Sequence, residues 1–170
     1  MKYLNIFVFL FVTFQFFIAQ FLHDVIVNFV PSLGPLLMSP SLSEGMRQVV
    51  MQPGWSDWPY IYWPDHFNIL AVAEFWAILI IPALIFCGPL FIASIFYRYR
   101  YLYALPVLVG LVAVTYFHLL NVFNPDPQGA LVILFGPIYA LVPTSIAAIT
   151  ALVIDRFLVK INRSPHPPTR

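Results

Sequence analysis

Four apolar stretches, each about as long as a bilayer is thick, leave this chain few ways to fold. They cover residues 4–23, 69–96, 101–120 and 130–153. About 20 residues in a helix, rising 1.5 Å each, cross a hydrocarbon core about 30 Å thick. Backbone amides and carbonyls inside lipid have no water to bond, so such stretches must be helical. The chain is 61% hydrophobic and 9% charged, with 17 Phe, which is more apolar surface than a soluble domain can cover. The expected fold is all-α: a polytopic membrane protein, in one domain, of four transmembrane helices in an up-and-down bundle.

The few charges sort by sign along the chain. Lys2 precedes the first stretch, Arg98 and Arg100 join the second to the third, and Arg156, Lys160, Arg163 and Arg170 follow the fourth. Asp24, Glu44, Asp57, Asp65, Glu74 and Asp126 fall in or beside the other connections, with Arg47 as the exception. The positive-inside rule then places both termini in the cytoplasm, with a tail at 156–170, and puts the 31–67 loop outside. A bacterial inner (cytoplasmic) membrane fits this bias. Topology accounts for the basic edge, so no nucleic-acid partner is expected; membrane lipid and other membrane subunits are. Cys87 is the only cysteine, which leaves this chain no internal disulfide and no Cys-based metal cluster.

The first stretch opens with Met1-Lys2 as a signal peptide would, but Phe17-Ile18-Ala19 is no cleavage site. It reads as a retained helix that can run on to Val30, where Pro31 stops it. A straight helix of that length is about 40 Å long and must tilt or rise beyond the hydrocarbon. In the outer loop, Ser41 and Glu44 have capping-box spacing, and Leu42, Met46, Val49 and Val50 form one apolar stripe. That predicts an amphipathic helix of about three turns, ended by Pro53-Gly54. Trp55, Trp58, Tyr60, Tyr62 and Trp63 follow. Their amphipathic rings suit a headgroup-level anchor or a partner-binding surface.

Short connections at 97–101 and 121–129 make the last three stretches antiparallel neighbours. Pro82, Pro89, Pro106, Pro137 and Pro143 are expected to kink them. Gly136, Ala140, Thr144 and Ala148 recur every four residues. Such a small-residue stripe lets helices approach closely, either within the chain or against a partner subunit.

The candidate chemistry lies with histidines. His23, His66 and His118 fall near one end of the spans, with Asp24, Asp65 and Glu74 around them. If the helix ends converge, such a layer can bind a divalent metal, or two imidazoles can hold haem. Glu74 with His118 can instead handle protons or a quinone. The plainer reading is a set of polar residues at the interface. Asp155 and Arg156 read as a lipid-level ion pair or solvated ends. No nucleophile elbow or phosphate-binding loop occurs, so no catalytic residue is assigned. The expected function is a non-enzymatic subunit or assembly factor of a larger membrane complex, of respiratory or photosynthetic type. The alternatives are an outer-surface metal or haem protein and an immunity-type or carrier protein.

Overall fold

The computed structural model describes residues 2–51, 69–124 and 129–163; for Phe16, Val49, 69–75, 129–134 and Arg163 it describes the backbone alone. Every regular element among them is helical. They run α1 (Lys2–Thr13), α2 (Gln15–Phe29), a 3₁₀ turn (Pro31–Leu33), α3 (Gly34–Leu37), α4 (Glu44–Val50) and α5 (Ile69–Ser94). A second 3₁₀ turn (Arg100–Tyr103), α6 (Ala104–Phe123) and α7 (Gly129–Arg163) complete the order. Three helices are long and apolar enough to cross a membrane, or four if α1 and α2 count together as one span.

The first apolar stretch departs from the expected straight helix. α1 and α2 meet at a 70° bend. No proline or glycine stands there. Instead the Thr13 hydroxyl donates to the Phe9 carbonyl at 2.9 Å, four residues back, the kind of bond that bends helices. Phe14 at the corner sits at φ −93°, ψ 10°, between the helical and extended regions. Gln15 follows, fully buried, with neither amide atom hydrogen-bonded. α2 then ends where Pro31 was expected to stop it.

The five prolines differ in where they fall along their helices. Pro82 and Pro89 lie inside a continuous α5, and Pro137 and Pro143 inside a continuous α7. Pro106 falls in the first turn of α6, where an amide N–H has no helical partner to lose. α7 also runs to Arg163, ten residues past the apolar boundary at 153. The chain turns amphipathic there but meets no helix breaker, so hydropathy ends before the helix does.

α7 is the hub. It packs along α6 and α5, while α1 lies on α5 and α2 on α6. Val8, Val12, Ala83, Phe86, Leu90 and Val114 are among the buried residues of this core. Apolar side chains gain little from leaving lipid for protein, so close fit has to hold the helices together. The small-residue stripe supplies it. Gly136, Ala140 and Thr144 are buried, and they face α6. A Cβ on Gly110 of α6 would come within 2.7 Å of the Phe86 ring and 2.9 Å of the Thr144 hydroxyl. One on Gly136 would reach His118 at 3.0 Å. Both pairings belong to an antiparallel α6–α7 contact.

At the end holding the 97–103 connection, Asp155 is not the solvated or ion-paired residue expected. It is fully buried, and its carboxylate accepts from the backbone N–H of Tyr99 at 2.7 Å and of Arg98 at 3.3 Å. Arg156 donates instead to the Phe96 carbonyl at 3.5 Å. The buried Tyr97 hydroxyl donates to the Ala148 carbonyl at 3.0 Å. Burial, and then the Asp155 charge, push the Tyr97 phenol above its ordinary value. Below about pH 10 the phenol is protonated in both folded and unfolded chains, and its contribution is intact. Above that, the unfolded chain ionises first, so stability falls as pH rises towards the folded value. Thermal unfolding from pH 8 to 11 should therefore steepen above about pH 10 for the native chain, and less so for Tyr97→Phe.

Candidate functional site

The opposite end of the bundle holds a buried polar pair, His23 and Asp24. There the chain leaves α2, runs through two short turns and α4, and is clamped onto α2 and the end of α6 by two side chains.

His23 is the first. Its Nε2 lies 2.6 Å from the carbonyl oxygen of Val50, the last residue of α4. A carbonyl only accepts, so Nε2 carries the hydrogen. Nδ1 lies 3.0 Å from Asp24 Oδ1, and one further proton must lie between them. The pair thus holds two protons and is neutral overall, as imidazolium with carboxylate or as imidazole with carboxylic acid. Both residues are buried, and the Phe123 ring packs on the imidazole with centroids 4.8 Å apart. Asp24 Oδ2 is buried without a partner.

Asn124 is the second clamp. Its Nδ2 donates to the carbonyls of Leu37 at 2.6 Å and Leu120 at 2.8 Å, while its Oδ1 accepts from the Ser39 N–H. One amide side chain therefore satisfies the end of α3 and the last turn of α6. Its place beside prolines in the sequence reads only as a turn. Ser43 acts within the segment itself: its hydroxyl accepts from the Met46 N–H at 3.3 Å and so caps α4. Ser41 was the expected cap, but its hydroxyl pairs with that of Ser39 at 2.8 Å. The cap sits two residues later, and α4 is seven residues long instead of three turns. Within the expected stripe, Val50 is buried and Met46 exposed, so α4 turns its C-terminal end into the protein.

His118 lies apart from this clamp, buried on α6. Its Nδ1 donates to the Val114 carbonyl at 2.9 Å, one turn back. The hydrogen is thereby fixed on Nδ1, and the lone pair of the neutral ring is on Nε2. Gly136 of α7 makes room for the imidazole.

Asp65 and His66 lie outside the described residues, as do Trp55, Trp58, Tyr60, Tyr62, Trp63 and the expected Pro53-Gly54 stop. The Glu74 side chain is also outside them. Among the described residues, no group of three or more His, Cys, Asp or Glu stands close enough together to hold a metal ion. As placed, His23 has both ring nitrogens engaged, whereas His118 keeps one available for a ligand.

No protein-family model matches the chain, and comparison with curated proteins and with solved structures finds no match either. Its chemistry must be read from the side chains alone. Those at both ends bind backbone groups of neighbouring segments, which is the work of holding a shape. His23→Phe should test this at the clamp. It keeps a ring against Phe123 but strands the Val50 carbonyl, and it should cost about 1–3 kcal/mol. Limited proteolysis should then cut first within 39–51, while the helices stay resistant.

Proposed function

We propose that this chain is an integral membrane protein that crosses the bilayer four times, both termini in the cytoplasm, and serves as a non-enzymatic subunit or assembly factor of a larger membrane complex. The carrying observation is the division of labour among its side chains. The clamps of His23, Asn124 and Asp155 fix the chain's own elements. The outer faces of the helices carry large apolar residues instead. On α7, Val142, Ile146, Ile149 and Val153 follow one another along an exposed face. Lipid or the helices of a neighbour suit such a surface.

Charge supports the orientation. Arg98, Arg100, Arg156 and Lys160 gather at the Asp155 end, and Asp24 and Glu44 at the clamp end. Positive residues favour the cytoplasmic side, and a bacterial inner membrane fits. Purification in mild detergent should bring stoichiometric partner proteins with the chain; a stable, pure monomer at native expression level would contradict the reading.

A metal or haem role has one observation in its favour, the His118 tautomer. An Nδ1–H bonded to a carbonyl is the usual support for an imidazole that ligates through Nε2. Haem or metal bound by the purified protein, and lost in His118→Ala, would support that role.

A further inference from the structure

The 97–103 connection carries two cations that the fold leaves unpartnered. Arg98 and Arg100 are both exposed, and neither guanidinium has a hydrogen-bond or ion-pair partner among the described residues. The backbone between them is nonetheless held firmly. Asp155 accepts from the N–H groups of Arg98 and Tyr99, Asn162 donates to the Tyr99 hydroxyl, and the Leu102 N–H returns to the Tyr99 carbonyl at 3.0 Å. Tyr99 is extended at φ −92°, ψ 96°, and its ring reaches back to α7. Side chains on either side of an extended residue leave the chain opposite to it, about 6–7 Å apart. Arg98 and Arg100 therefore make a two-pronged fork on the side opposite the Tyr99 ring. Two guanidinia at that spacing suit one phosphate, each offering paired N–H donors to its oxygens.

The charge around the fork decides what kind of phosphate it takes. Arg156 and Lys160 are exposed on the adjoining turns of α7, and Asp155 is the sole carboxylate described at this end. It is fully buried and committed to two amides, so no anion is free to receive an ammonium. Ile95, Phe96, Tyr101 and Phe157 are exposed beside the cations, an apolar flank that acyl chains can cover. A cationic cluster at the end of membrane-length helices, edged by apolar side chains, meets the headgroup layer. We infer that the fork binds an anionic phospholipid headgroup, its phosphate diester between Arg98 and Arg100. Topology alone asks for positive charge on this side, but it asks for neither a braced backbone nor a matched pair of guanidinia.

The inference rests on the membrane reading above but not on the partner reading. The test is native mass spectrometry of the full chain, released from detergent with equal amounts of phosphatidylglycerol and phosphatidylethanolamine of matched acyl chains. The wild type should retain phosphatidylglycerol over its competitor by about tenfold, as expected where several cations face one net negative charge. The double variant Arg98→Gln/Arg100→Gln should lose that preference yet unfold at the wild-type temperature, because neither side chain holds the fold. Arg98→Lys/Arg100→Lys should keep part of the preference, since the charges stay and the paired donors go. Arg47→Gln, which removes one cation from the other end of the bundle, should leave it unchanged. Equal retention of both lipids by the wild type would overturn the inference, as would a double glutamine variant that keeps the preference or an Arg47→Gln variant that loses it. Glycerol phosphate that competes as well as the lipid would overturn the lipid assignment. A chain stripped from membranes by carbonate would refute the membrane reading itself, whereas an integral chain without lipid preference refutes only this site.

Discussion

Gly110→Leu should destabilise the protein strongly. Even a methyl group there would approach the Phe86 ring to 2.7 Å and Thr144 Oγ1 to 2.9 Å, closer than real contacts allow. Neither neighbour can retreat freely. Phe86 and Thr144 are both buried, and the Thr144 hydroxyl already donates to the Ala140 carbonyl at 2.6 Å. Overpacking a filled core costs about 1–3 kcal/mol, and a leucine at the meeting of three helices should reach the top of that range or exceed it. Gly88→Ala supplies the contrast. That glycine also sits inside a helix, but a Cβ on it would meet nothing within 4 Å. Removing a flexible residue from a helix interior should raise stability by about 0.5–1 kcal/mol. Thermal unfolding in one detergent should move the two variants in opposite directions. If both move alike, α6 does not pack against α5 and α7 through Gly110.

The second large effect is expected at Asp155. Its carboxylate is the acceptor for two backbone N–H groups of the 97–103 connection, and it is wholly buried. Asp155→Ala leaves both donors without a partner, at about 1–3 kcal/mol each. A loss of about 2–4 kcal/mol is the expected result, since backbone relaxation should recover some. Asp155→Asn keeps one acceptor oxygen and gives up the charge, so it should lose about half as much. Were Asp155 merely a solvated helix end, both variants would unfold with the native chain.

The sequence made the helices legible, because lipid-compatible segments must be both long and apolar. It was weaker on where they end. α7 passes its apolar boundary because Asp155 and Arg156 can sit in a helix as well as Val153 can. The bend at Phe14 was missed for a related reason. Thr13 and Gln15 are the only polar residues between Asn5 and Gln20, but nothing local says that a threonine will bond backwards.

The small-residue stripe was visible in spacing, though spacing does not name its partner; the glycines at 110 and 136 do. His23 and His118 stood out as histidines near one end of the spans. Their partners are carbonyls of Val50 and Val114, and a carbonyl has no signature in sequence. Asn124 was hidden in the same way, since its three bonds all go to backbone.

Single-cysteine labelling of sealed cells tests the four-span arrangement most directly. In a Cys87→Ser background, Glu44→Cys should react with a membrane-impermeant maleimide from outside. Lys2→Cys and Lys160→Cys should react only after permeabilisation. If Lys2→Cys is labelled from outside along with Glu44→Cys, then α1 and α2 form a re-entrant pair and the chain crosses the membrane three times.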